Sequence, residues 1–491
     1  MIGQRLVEIA RSQPDAPAVI FSSPGGDAII SYSQLLALGE EVRRRLEARG
    51  VRPHEPVIAV LSPGPDATAV FVACMFMGAI YMPVNPSWRE AEIAWLIPAV
   101  NPSAVVTREV DRTLWEKAGI APNKIVTLDR LEIPNTPPEY RVAQLPDESP
   151  GTFQLSSGST GRPKIVVKTG GRLLESLSAI ARFIGLTSSH RVFAPTPLHF
   201  GFGFTWNLVL PLISGATIVQ METFEPVAAS DVIARHRVNT LCGAPVLFNL
   251  FTDAGLANGS LAGIELSYSA GATLSAAVKA KWKQLTGHDL RQAYGTVEGG
   301  MIAVQLLGEL PESCVGRIID GNEVRILVEG APQSPGVGGE IAIRSPGVMT
   351  GYLNDPEATA AIMTDGFLRT GDTGWLDQQG RLFFTGRIRP WINAGGVKVD
   401  PIEVQNAIRG IAGVRDCLVR AEPGPRGLDL VAAVIVLEPG LTLTRADVIR
   451  HCREHLADYK IPRVFHWVDS MATDLTGKAL AKWAQGPPNR P

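Results

Sequence analysis

Short apolar runs of strand length alternate with stretches of helical spacing through most of the first 385 residues, and this alternation restricts the fold more than any other feature. Residues 57–61 read as a buried strand, 66–77 as a helix, and 79–83 and 104–107 as further strands, with a helix over 92–100 between them. Strands at 217–221, 240–243 and 266–270 and a helix at 276–285 continue the series. Helices that return between apolar strands cover both faces of a parallel sheet, so the fold class is α/β, built in layers. From about Gly316 the rhythm gives way to short strand pairs, 323–327, 339–344 and 381–384, separated by turns such as 377–380 (DQQG). These read as a small antiparallel β unit closing the large domain. Beyond Arg387 a small α+β segment follows, with helices at 401–408, 445–455 and near Leu480 and strands near 417–421 and 431–437. A chain of 491 residues exceeds one core, since single cores stop growing near ~250–300 residues. The expected division is an N-terminal domain over 1–387 and a C-terminal domain over 388–491.

Composition narrows the function. The net charge is −2 and no run of five basic residues occurs, so the electrostatic footprint of a nucleic-acid partner is absent. Cys74, Cys242, Cys314, Cys417 and Cys452 are odd in number and form no CxxC pair, which reads as reduced thiols in a cytoplasmic protein. Cys452 sits beside His451, with His455 a turn later, but a second thiolate pair is missing, so a zinc site is a poor reading. The N-terminus carries Arg5 and Glu8 within its apolar pattern and lacks a signal-peptide core. The most apolar run, 68–83, is broken by small residues and ends at Pro83, so it reads as a buried helix leading into a strand rather than a membrane span.

The strongest local signal is 155–164 (LSSGSTGRPK). Its glycines let backbone approach an anion, its hydroxyls donate hydrogen bonds and Lys164 supplies charge, the make-up of a phosphate-gripping loop. The spacing fits neither a Walker P-loop nor a dinucleotide fingerprint. A plain Ser/Gly linker would rarely end in Gly-x-Pro-Lys and run straight into an Ile-Val-Val strand.

This segment resembles the signature loop of the adenylate-forming superfamily, which includes acyl- and aryl-CoA synthetases, peptide-synthetase adenylation domains and beetle luciferases. The resemblance extends over residues 10–483 with its later motifs in order. It implies that Ser156, Ser157, Gly158, Ser159, Thr160, Gly161 and Lys164 bind ATP phosphates. In 292–298 (QAYGTVE), Tyr294, Gly295 and Thr296 would face the nucleotide and Glu298 would hold Mg²⁺; an aromatic face suits a purine and a carboxylate is a hard ligand. The family pattern has threonine directly before this glutamate. Here Val297 stands there, so either Thr296 takes over or one hydrogen bond is missing. Asp372 in 369–375 (RTGDTGW) would accept from both ribose hydroxyls, with Arg387 near ribose and phosphate.

The stretch 386–405 is closest to aryl-acid-activating members. By resemblance the C-terminal domain is a mobile lid that swivels at Arg389, and Gly395 and Gly396 line a tunnel for a pantetheine thiol. Pro390 follows the hinge and restricts Arg389. Lys478, after Thr476 and Gly477, stands where the family carries its catalytic lysine, between substrate carboxylate and α-phosphate.

The segment 197–204 (PLHFGFGF) resembles the loop where a histidine or aromatic gates the acid. His199 is thus a candidate catalytic and pocket residue beside Phe200 and Phe202, with Gly243, Gly271 and Ala272 lining the slot and the last two also placed against the nucleotide. No carboxylate occurs between Arg191 and Met221, so a substrate ammonium would be unpaired and costly. An aryl or fatty acid without an α-amino group is expected. The implied reaction uses ATP and Mg²⁺, releases pyrophosphate, and passes the acyl group to coenzyme A or the phosphopantetheine of a separate carrier protein. A luciferase-like oxygenase and a non-catalytic nucleotide or acyl binder are the alternatives.

Overall fold

The computed structural model describes residues 1–88, 90–129, 131–133, 139–156, 164–271, 274–306, 311, 313–387, 392–394, 397–399, 401–424, 429–456 and 458–471. The chain divides into two compact units, one of Met1–Val324 with Ile343–Leu368, the other of Arg325–Ala342 with Arg369–Pro491.

The first unit contains a seven-stranded sheet in the order Gly351–Tyr352, Lys164–Thr169, Pro150–Ser156, Ile80–Pro83, Pro56–Ala59, Ala104–Thr107, Ile125–Thr127. Its inner strands are parallel, as the apolar runs imply. The pair Pro150–Ser156 and Lys164–Thr169 is antiparallel, and its register sets Ser156 opposite Lys164. A second sheet carries parallel strands Pro17–Ser23, Thr217–Met221, Arg191–Phe193, Thr240–Gly243, Leu266–Ser269 and Leu290–Thr296. The helix Pro65–Met77 is buried on nearly every side, starting with Pro65 in its first turn, where a missing N–H costs nothing. Its Phe71 meets Tyr81 and Phe204 edge-on at 5.3 and 6.0 Å. Thus the main core anchors the short helix Gly201–Phe204, which carries gate-loop residues.

Three differences from the sequence reading have physical causes. The single helix over 92–100 is instead two, Glu90–Ile93 and Leu96–Val100. Pro98 cannot donate back to Ala94 and is tolerated only near a helix start. Antiparallel pairing begins before Gly316, where Leu290–Thr296 turns back on Gly300–Val304 through Glu298. An N-terminal hairpin, Pro17–Ser23 with Gly26–Ser31, adds an antiparallel edge.

In the second unit, Phe367–Leu376 and Arg381–Arg387 pair antiparallel beyond residue 368, setting Asp372 opposite Arg387. Its C-terminal part packs helices Pro401–Arg409 and Arg445–His455 with strands Val414–Pro423, Asp429–Leu437 and Val464–Trp467. Val404, Ile408, Val448, Cys452 and Ile435 share one buried cluster. Thr444 and Asp447 cap the second helix reciprocally, satisfying two of its initial N–H groups. The helix expected near Leu480 lies outside the described residues.

Candidate active site

In the first unit, the two strongest motifs meet through a residue that neither contains. Lys164 opens the strand Lys164–Thr169, and Glu298 lies just past the strand Leu290–Thr296. The Tyr352 hydroxyl donates to Glu298 Oε1 at 2.9 Å, while Lys164 Nζ stands 4.6 Å from the Tyr352 ring centroid. Main-chain bonds fix this arrangement: Met349 N–H donates to Glu298 O at 2.8 Å, and Leu353 N–H to Ile165 O at 2.8 Å. Burial and the neighbouring Glu298 carboxylate push the Tyr352 hydroxyl pKa well up, so it remains a donor at neutral pH.

Lys168 lies on the same strand and is fully buried. Its ammonium donates to Gly347 O at 2.8 Å. Burial pulls its pKa down to about 8, against the upward effect of Glu298, and Arg172 adds to the downward pull. The sequence reading missed Lys168 and Tyr352. The only sequence signal for Lys168 was its period-2 spacing from Lys164, and nothing near Tyr352 marked it.

Tyr294 is buried in its strand, and Gly295 follows at a bulge. Thr296 Oγ1 accepts from Gly299 N–H at 2.8 Å, which ties that hydroxyl into the turn around Glu298. Val297 instead faces the gate loop: a Cβ on Gly201 would come within 3.3 Å of Val297 Cγ2. The missing side chain at Gly203 is a requirement, because a Cβ there would lie 2.1 Å from Pro197 O and 2.6 Å from Thr196 O.

His199 and Phe200 pack ring to ring at 4.2 Å, and Phe202 lies 6.0 Å from Trp206. Gly243 ends its strand, and Ala270 N–H donates to Gly243 O at 3.2 Å, bringing Gly271 alongside. Gly271 has φ +88°, a conformation that favours glycine. The space that a side chain at Gly243 would need is filled by Leu247, whose Cδ2 is 2.3 Å from the ideal Cβ.

In the second unit, Arg387 Nε meets Asp372 Oδ1 at 2.8 Å. Asp372 is buried and Arg387 exposed, so the ion pair joins a carboxylate withdrawn from solvent to a guanidinium at the surface. Ser157, Gly158, Ser159, Thr160, Gly161, Ala272, Arg389, Gly395, Gly396 and Lys478 lie outside the described residues.

Glu298 fits a divalent cation: it offers a carboxylate oriented by a neutral donor, beside an ammonium suited to phosphate oxygens. The five cysteines are buried free thiols. Cys452 faces the C-terminal core, whereas His451 and His455 stack at 4.3 Å on less buried positions. Among the described residues, no helix is long and apolar enough to cross a membrane.

Residues 6–353 match the model of the AMP-binding enzyme family, and 403–478 match that of the AMP-binding enzyme C-terminal domain. The chain is 27% identical over 489 residues to the 3-[(3aS,4S,7aS)-7a-methyl-1,5-dioxo-octahydro-1H-inden-4-yl]propanoyl:CoA ligase of Rhodococcus jostii (strain RHA1), covering 93% of each chain. It is 28% identical over 489 residues to the feruloyl-CoA synthase of Amycolatopsis sp, covering 98% of this chain and 97% of that one. Among solved structures, ATP-bound MatB from Rhodopseudomonas palustris superposes with a TM-score of 0.89 at 23% identity, covering 99% and 98% of the two chains, which shows the shared fold. The chain belongs to the AMP-binding enzyme family, within the adenylate-forming superfamily that its ordered motifs resemble.

Proposed function

We propose that this chain activates a carboxylic acid with ATP as an acyl-adenylate, releases pyrophosphate, and transfers the acyl group to a pantetheine thiol. One observation carries the reading: Lys164 and Glu298, from separate motifs, flank the same Tyr352 side chain. An ammonium and an oriented carboxylate at one place suit the triphosphate and its counter-cation.

Lys164 and the loop from Ser156 through Ser157, Gly158, Ser159, Thr160 and Gly161 take the phosphates, and Tyr294 with Gly295, Gly271 and Ala272 takes the adenine. The hydroxyl of Thr296 accepts from Gly299, so its proton stays available for a phosphate oxygen. Asp372 and Arg387 take the ribose. Glu298 would hold Mg²⁺, which supplies charge neutralisation at the phosphates. His199, Phe200, Phe202, Gly243 and Gly271 border the acid.

The acid's carboxylate oxygen attacks the α-phosphorus, a P–O bond forms, and the bond to pyrophosphate breaks with its electron pair leaving on oxygen. Lys478 neutralises the charge that builds on the α-phosphate. The thiol then loses its proton and its sulfur attacks the acyl carbon. A thioester forms and AMP departs, carrying the original carboxylate oxygen. Positioning and electrostatics account for both steps.

The domain boundary is at 387/388, with the hinge at Arg389 and the thiol passing Gly395 and Gly396. The two curated relatives above are named for ring-containing acyl groups and coenzyme A, which supports a ring acid and free coenzyme A ahead of a fatty acid and a carrier protein. The protein works in the cytoplasm. The test is Lys478→Ala: acid-dependent pyrophosphate release should be nearly abolished with the fold retained, and undiminished release would refute the assignment.

A further inference from the structure

The helix Arg445–His455 carries His451, Glu454 and His455 at positions i, i+3 and i+4, a spacing that puts three side chains on one face. One ligand atom from each lies within 4.8 Å of the other two. His451 is half-buried, and Glu454 and His455 are exposed. An ion in solution can reach all three without any opening of the fold.

His455 is already oriented for a metal. Its Nδ1 stands 2.9 Å from the main-chain oxygen of His451. A carbonyl oxygen only accepts, so Nδ1 carries the proton of the neutral ring and Nε2 keeps its lone pair. A ring nitrogen tied to a main-chain carbonyl is the usual second bond of a metal-ligating histidine. The His451 ring stacks on His455 at 4.3 Å and 26°, which keeps the two imidazoles together. Neither the His451 ring nor the Glu454 carboxylate has a hydrogen-bond or ionic partner among the described residues.

The surroundings suit a cation. His455 ends the helix, so the three groups fall at its negative end. The nearby guanidiniums have other partners: Arg450 pairs with Asp447, and Arg453 lies 3.9 Å from Asp458. Cys452 belongs to the buried cluster with Val448 and Ile408, so the thiol beside His451 in the sequence is not a ligand. Glu454 supplies the third donor in its place. Two imidazoles and one carboxylate form a borderline donor set, matched to Zn²⁺ rather than to the oxygen-seeking Mg²⁺ and Ca²⁺. Three protein ligands leave the fourth position of a tetrahedral ion to water.

We propose that His451, Glu454 and His455 form a binding site for a borderline divalent metal ion, with Zn²⁺ as its probe. The site differs in residues and in ligand chemistry from the Mg²⁺ assigned to Glu298, and it does not depend on the adenylation reading. A bound ion links adjacent turns and stabilises the end of the helix.

The test is equilibrium dialysis of the full chain against Zn²⁺ at neutral pH with Mg²⁺ in excess, comparing the wild type with His451→Ala, Glu454→Gln and His455→Ala. The wild type should bind Zn²⁺ despite the Mg²⁺, and each variant should weaken that binding about tenfold or more. Zn²⁺ should also raise the Tm of the wild type and leave that of His455→Ala unchanged. X-ray absorption of the Zn²⁺-loaded wild type should show two imidazole ligands and no sulfur, a reading that holds even where a variant fails to fold. Displacement by Mg²⁺, sulfur ligation, or no Zn²⁺ bound would overturn the proposal. Binding unchanged in any one variant would also overturn it, showing an adventitious ion only.

Discussion

Tyr352 donates to Glu298 at 2.9 Å across 54 residues of chain, and so determines where that carboxylate can point. The same ring lies beneath Lys164, so one aromatic side chain spaces a cation from an anion. Removing its hydroxyl should leave the fold intact and free Glu298 to rotate. Tyr352→Phe is expected to lower the exchange rate roughly tenfold or more, about one hydrogen bond to a charged group. The half-saturating Mg²⁺ concentration should rise as well, which a metal titration of the exchange reaction would show.

Gly203 and Gly201 separate packing from space on the gate loop. A methyl at 203 would run into the Pro197 and Thr196 carbonyls, both backbone atoms with little room to move. A methyl at 201 presses on the end of Val297, at 3.3 Å, and otherwise makes ordinary contact with Gln154 Oε1 at 3.8 Å. Gly203→Ala should therefore raise KM for the acid by tenfold or more, whereas Gly201→Ala should change it by about threefold or less. Steady-state kinetics on both variants would check the contrast.

Asp372 is buried and pairs with the Arg387 guanidinium. Asp372→Asn keeps the shape but removes an anion suited to a vicinal diol. KM for ATP is expected to rise about tenfold or more, with less effect when 2′-deoxy-ATP is the substrate, because that nucleotide has already lost one partner. Equal losses with both nucleotides would argue against ribose recognition.

Lys168 gives a pH signature. Its folded pKa, about 8, lies below its ordinary 10.5. Between these values the unfolded chain holds a proton that the folded chain has shed, so this group makes stability rise with pH. Compared with Lys168→Met, the wild type should gain about 2 kcal/mol between pH 8 and pH 10. Urea unfolding of both proteins at the two pH values would measure it.

Much of the architecture was legible because buried parallel strands are written as unbroken apolar runs. Ile80–Pro83, Thr217–Met221 and Thr240–Gly243 stand close to where the apolar runs put them. The hairpin from Pro17 to Ser31 was not, since its second strand, Gly26–Ser31, opens on exposed Gly26 and Asp27 and lacks an apolar/polar alternation. Lys164 and Glu298 were legible through their motifs. Tyr352 was not, because its role arises only when the strand pairing of Gly351–Tyr352 with Val166 and Val167 brings it beside Glu298. Lys168 was hidden for a different reason: lysine ordinarily signals solvent, and its burial depends on the Gly347 carbonyl that the fold supplies.

Transfer of isotope from the acid tests adenylation most directly. With the carboxylate labelled by ¹⁸O, a full turnover with ATP and coenzyme A should yield AMP carrying one labelled oxygen and unlabelled pyrophosphate. Unlabelled AMP, or label in pyrophosphate or inorganic phosphate, would contradict attack of the carboxylate on the α-phosphorus.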